Sequence, residues 1–186
     1  MFSAKDVKVG NGSKYQSAGV SEKVTVSEIE LKVNEQYNSK SLVLKTLNEN
    51  KQEGQSKRLS LNTEIKAGSQ VAAWTITAKY LLNVIMSATG KSLEEAQAVL
   101  EVKDEKALIK NLENTLIGKP FRGLFSSREY QPDKFAIELY TTEPVGGTRL
   151  VWDTTNQYYN KRLPSVNLGE MGAEAMPAKS GDDLPF

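Results

Sequence analysis

Hydrophobic positions along the chain follow two different periods. From Lys23 they recur every second residue: Val24 and Val26 share one parity, and Ile29, Leu31 and Val33 share the other. Successive side chains point to opposite faces of a strand, so the change of parity predicts a bulge or sharp bend near Ser27 and Glu28. Two short strands would give the same pattern. Positions 34–40 are turn-rich, and a second strand is expected over Leu42, Val43, Leu44 and Leu47. The polar stretch 48–55 predicts a hairpin loop around Gly54. A third strand is expected with Leu59, Leu61 and Ile65 on one face and Arg58, Ser60, Asn62 and Glu64 on the other.

The period then lengthens to that of a helix. Val71, Trp74, Ala78, Leu81 and Ile85 form one stripe, ended near Gly90. Ser92 followed by Glu95 has the spacing of a capping box, in which the two side chains satisfy each other's backbone amides. It opens a short helix carrying Leu93, Ala96 and Leu100. Leu108, Leu112 and Leu116 predict a further helix, closed by Gly118. Strand signals return with Phe121, Gly123 and Phe125 after Pro120, and again with Phe135, Ile137 and Leu139. A loop, Pro144-Val145-Gly146-Gly147, precedes a short apolar piece, Leu150-Val151-Trp152. Residues 1 to about 20 are polar and glycine-rich and read as an arm or loosely packed lead-in. Their glycines are not followed by Gly-Lys-Ser/Thr, so they do not make a phosphate loop. From Asn167 onward periodicity is lost, and 167–186 reads as a disordered tail behind a domain spanning 1–166.

The fold class expected is therefore mainly β with a helical insert at about 67–118. Three strands, helices and two strands resemble the element order of an OB-fold, a five-stranded Greek-key barrel. That resemblance implies a closed barrel with its helices between strands 3 and 4. An insert of this size is larger than the fold requires.

Composition narrows the chemistry. The chain holds neither cysteine nor histidine among its 186 residues. Disulfides, thiolate nucleophiles, histidine general bases and the usual zinc ligands are all excluded, which leaves carboxylate-held magnesium and lysine chemistry as routes to catalysis. No enzyme activity, cofactor or metal is expected. No apolar run approaches the roughly 20 residues that cross a bilayer, and the first residues lack the apolar core of a signal peptide. The expectation is a cytoplasmic protein of a bacterium or a phage-infected host, without a membrane partner. The formal net charge of +1 divides unevenly: 167–186 carries −3 and 1–166 carries +4. A basic body with an acidic tail requires an explanation.

The tail ends Ser180-Gly181-Asp182-Asp183-Leu184-Pro185-Phe186. This resembles the C-terminal tip of phage and bacterial single-stranded DNA-binding proteins, in which aspartates, an apolar residue, proline and phenylalanine dock replication and repair partners. The resemblance implies a protein that coats single-stranded DNA during replication, recombination or repair. It also implies Asp182, Asp183, Leu184, Pro185 and Phe186 as the partner-binding tip. The chemistry suits docking: a ring for an apolar pocket, carboxylates for surrounding cations, and a proline that limits the entropy lost on binding.

Sequence-independent binding of single strands needs cations for phosphates and exposed rings for base stacking. Lys119, Phe121, Arg122, Arg128 and Tyr130 lie within twelve residues, and Trp152, Tyr158, Lys161 and Arg162 follow. Lys57 and Arg58 on the third strand and Tyr37 in a loop complete the candidate set. Blander roles compete: Phe121 and Phe125 alternate like core residues, and Tyr158-Tyr159 would also suit a barrel end. The partners implied are single-stranded DNA, replication or recombination proteins at the tip, and optionally further copies of the chain. Two other functions fit less of the sequence. One is a replisome adaptor without DNA binding, and the other is a metal-dependent nuclease built on Asp133, Glu138 and Asp153.

Overall fold

A computed structural model describes residues 14–131 and 134–152. The chain runs through strands β1 (Gly19–Asn34), β2 (Ser39–Asn48), β3 (Glu53–Gln55) and β4 (Leu59–Ser60). Helices α1 (Ala73–Thr89), α2 (Leu93–Leu100) and α3 (Glu105–Leu116) follow, and then strands β5 (Pro120–Gln131) and β6 (Lys134–Glu143). The fold is mainly β, with all three helices inserted between β4 and β5. Among the described residues no helix is long and apolar enough to cross a membrane.

The sheet is an open antiparallel path in the order β3-β2-β1-β5-β6, with β4 pairing beside β3 on β2. β1 is long because it serves two partners: its first half pairs with β5 and its second with β2. The parity change expected from the sequence is a register shift between Val26 and Glu28. It turns Val24, Val26 and Ile29 onto one buried face. It also coincides with the docking of the helical insert, because the amide of Gly118 donates to the carbonyl of Val26 at 3.1 Å. The core lies between this face and the helices. Leu42, Leu44, Phe121 and Phe125 from the sheet meet Leu81, Ile85 and Leu112 from α1 and α3. Full burial of each such side chain is worth about 1.5–3 kcal/mol.

The start of α2 and the end of α1 follow from their sequences, but α1 begins only at Ala73, so Val71, expected on its apolar stripe, lies outside the helix and is exposed. Ser92 Oγ accepts from the Glu95 amide at 3.3 Å while Glu95 Oε2 accepts from the Ser92 amide at 2.8 Å, the reciprocal pair expected at the start of α2. Gly90 ends α1 at φ 70°, a conformation that costs glycine nothing.

Three expectations are corrected. The third strand is two short pieces, β3 and β4, because Ser56 interrupts the ladder: its hydroxyl accepts from the Leu44 amide at 3.0 Å and donates to the Lys57 carbonyl at 2.7 Å. Gly54 lies inside β3 rather than in a loop, and Ile65 lies beyond the strands, 65% exposed. The lead-in is also less loose than expected. Gln16 N donates to Glu53 O at 2.7 Å, and Glu53 N donates to Lys14 O at 2.8 Å, so residues 14–16 cover part of the free edge of β3. The rest of that edge meets β6 through one isolated parallel bridge, Ser56 to Leu139. The short apolar piece Leu150-Val151-Trp152 lies outside the strands, in a strap after β6 that Arg122 and Glu143 hold through Leu150.

Candidate nucleic-acid interface

The Ser56–Leu139 bridge forms a seam where the two ends of the sheet path touch, and several candidate residues gather along it. Lys57 and Arg58 follow Ser56 directly and are both exposed. Lys57 Nζ sits 5.7 Å from the ring centre of Tyr80, within cation–π reach. Tyr80 comes from α1, and its hydroxyl donates to the Leu139 carbonyl at 2.9 Å, which ties the helix to the edge of β6. Burial, with the nearby charge of Glu138 adding to it, pushes the Tyr80 phenol far above its ordinary pKa.

On the β5 side of the seam stands Arg128. Its Nε and Nη2 donate to the two oxygens of Glu138 at 3.0 and 2.8 Å. The carboxylate is the buried member of the pair, 11% exposed against 52% for the guanidinium. This hydrogen bonding raises the pKa of Arg128 further. Tyr130, partly exposed, lies at the next register shift of the β5–β6 hairpin. Tyr37 tips the β1–β2 hairpin, 72% exposed. The turn is set locally: Asn34 Oδ1 accepts from the Tyr37 amide at 3.2 Å, and Asn38 takes φ 42°.

Other candidates are placed elsewhere. Phe121 is fully buried in the core and offers no ring face to a base. Its alternation with Phe125 reflects packing, since both rings fill the space between sheet and helices. Arg122 is bound up in the protein. Nε and Nη2 donate to both oxygens of Glu22 at 2.7 and 2.9 Å, and Nη1 donates to Glu143 and to the Leu150 carbonyl. Only 13% of its side chain is exposed. These bonds, those to Glu22 foremost, raise its pKa well above the ordinary guanidinium value. Lys119 is exposed at the end of the helical insert and shares a shallow cleft with Lys91, Thr89, Asn114 and Thr115.

Trp152 borders a different cleft of about 700 Å³, formed with Val20, Leu150 and Val151 over the Glu22–Arg122 pair. That cleft exists because Glu143 draws the strap down. Its carboxylate, 1% exposed, accepts from the Arg149 and Leu150 amides at 3.0 and 3.2 Å and from Arg122. The Gly147 amide closes the turn onto the Pro144 carbonyl at 3.0 Å, with Gly146 at φ 81°.

Tyr158, Lys161 and Arg162 lie outside the described residues, as do Asp182, Asp183, Leu184, Pro185 and Phe186. So do Asp133 and Asp153, while Glu138, the third carboxylate considered for a metal, is occupied by Arg128. Among the described residues no three carboxylates gather to hold a metal ion.

Lys57 and Arg58 thus lie on one side of the seam, with the Tyr80 ring beside Lys57, and the Arg128–Glu138 pair lies on the other; the cations can attract and orient an anion, and no nucleophile–base pair is formed there among the described residues. Sequence reading did not single out Tyr80 or pair Glu138 with Arg128. Tyr80 lies beside Leu81 on a helix whose face is legible only once its packing on β6 is known, and the ion pair depends on the hairpin register. No protein-family model matches this chain, and no curated protein is significantly similar to it.

Proposed function

We propose that this protein binds single-stranded DNA without strong sequence preference and recruits replication or recombination proteins through Asp182-Asp183-Leu184-Pro185-Phe186. In this reading the sheet is an OB-type barrel closed at the seam. The observation that carries it is the strand order β3-β2-β1-β5-β6 with a parallel bridge, Ser56 to Leu139, joining its two ends, because that contact sets the exposed Lys57 and Arg58 against β6, the strand whose Glu138 holds Arg128. Cations on both sides of the seam, an exposed Tyr37 at a hairpin tip and a partly exposed Tyr130 at a second hairpin would provide phosphate contacts and stacking surfaces in the combination that single strands require. The acidic Asp-Asp-Leu-Pro-Phe sequence supports a docking role on chemical grounds.

The test is tryptophan fluorescence titrated with poly-dT at two salt concentrations. Saturable binding that weakens as salt rises, and that exceeds binding to duplex DNA, is the expected result. Tyr37→Ala should weaken it by about 1–3 kcal/mol if that ring stacks on a base. Equal affinity for duplex and single strand would overturn the reading. A complete lack of binding, with partner capture through the tip retained, would make the protein an adaptor.

A further inference from the structure

Arg122 and Arg128 stand on the same strand and both meet buried carboxylates, yet their donors are used differently. Every nitrogen of Arg122 is engaged: Nε and Nη2 by Glu22, and Nη1 by Glu143 and the Leu150 carbonyl. Arg128 is held along one edge alone. Nε and Nη2 bind Glu138, and Nη1 has no partner among the described residues. A guanidinium carries five N–H groups in a fixed plane, so two bonds to one carboxylate leave the opposite edge, Nη1 with the second hydrogen of Nη2, available as a fork.

The surroundings favour an outward fork. Glu138 is diagonal to Arg128 across the β5–β6 pair, whereas the residue directly opposite Arg128 is Ala136, too small to cover it. Glu138 is nearly buried, and freeing it from Arg128 would strand a charge away from water. The guanidinium therefore cannot swing off to follow a ligand; its plane is set before any ligand arrives. Lys57 lies across the Ser56–Leu139 bridge, next to the Tyr80 ring that feels the charge of Glu138.

We infer that Arg128 is a preorganised, two-pronged contact for one phosphodiester of the bound strand, and that Glu138 is the positioning residue that fixes its plane. This rests on the single-strand-binding reading and adds which group makes the contact and how it is oriented. A fixed fork loses little side-chain entropy on binding, which a flexible lysine would lose in full.

Two variants test it in the full-length chain with dT oligonucleotides. Arg128→Lys keeps the charge but removes the fork, and its affinity should fall about tenfold, nearly as far as that of Arg128→Gln. Lysine binding within twofold of the parent would show a point charge and overturn the inference. Arg128→Met combined with Glu138→Leu removes both charges, leaves the net charge of the seam unchanged and strands no buried ion. Its melting temperature should stay near that of the parent, while affinity drops about tenfold and the slope of log affinity against log salt shrinks by roughly one. Unchanged affinity and slope in this double variant would also overturn it. If the parent itself fails to bind the oligonucleotide, the single-strand reading has failed at its first step, and the failure is visible before any variant is made.

Discussion

At the scale of single residues, function and structure are divided by what each side chain meets across the fold. Arg122 and Arg128 cannot be told apart in the sequence; Glu22, Glu143 and the strap together saturate the first, and the small Ala136 opposite the second leaves it open. Gly54 teaches the same lesson in the core. Within the polar stretch 48–55 it reads as a turn glycine, but its φ is not positive and its place is in β3. What it requires is the absence of a side chain: a Cβ there would lie 2.8 Å from Thr46 Oγ1 and 2.9 Å from a Phe125 ring carbon. Gly54→Ala should therefore lose about 1–3 kcal/mol of stability, read as a lower urea midpoint with an unchanged slope. A variant as stable as the parent would mean that Phe125 has room to move. Nothing near Gly54 in the sequence announces Phe125, so this constraint was not legible.

At the scale of elements, signals written within a few consecutive residues were legible and those that need a second element were not. The bulge in β1 follows from a parity change, and the start of α2 follows from Ser92 and Glu95, three positions apart. The break between β3 and β4 depends on Ser56 bonding to Leu44 on the neighbouring strand, and the sequence shows no sign of it. The strap after β6 is likewise built on a long-range partner. Burial of Glu143 works to raise its pKa, but the Arg122 hydrogen bond and those from the Leu150 and Arg149 amides outweigh it and hold the pKa below the ordinary 4.5. A carboxylate with a depressed folded pKa stabilises the fold fully above its unfolded value and loses that contribution as pH falls through the folded one. The strap should thus be secure at neutral pH and loosen on acidification below about 4.5, seen as a change in tryptophan emission before global unfolding. Glu143→Gln should remove that acid transition and cost about 2 kcal/mol at neutral pH, because Arg122 loses its buried counter-charge. An acid transition that persists in the variant would assign it to another carboxylate.

At the scale of the whole molecule, the sequence order of strands and helices could be read, but not the splitting of the third strand, which strands meet or where the cations end up. Strand pairing joins residues far apart in sequence, and the local pattern is the same for many pairings. Charge asymmetry, in contrast, was present in the sequence from the start: +4 over 1–166 and −3 over 167–186. A tethered acidic segment has a high effective concentration at any basic surface within its reach and should compete there with a polyanion. Deleting Asp182 to Phe186 should accordingly tighten oligonucleotide binding at low salt, with the gain fading at high salt as charges are screened beyond about 8–10 Å. Weaker binding after the deletion would mean that the tail assists the interface instead.

The bulge in β1 also bears on how the chain reaches this state. Glu22 and Arg122, partners across the β1–β5 pair, stand 100 residues apart. Closing a loop of that length costs about 1.4 kcal/mol more in chain entropy than closing one of 20 residues. The β1–β2 hairpin and the three helices can form from neighbours, whereas the central pairing must wait for the whole insert to fold back. Val26 sits where that wait ends, for its carbonyl receives the Gly118 amide just before β5 begins. The residue just before the bulge in β1 thereby serves as the mooring for the returning chain, and the slowest step of folding should be the one in which the end of α3 finds it.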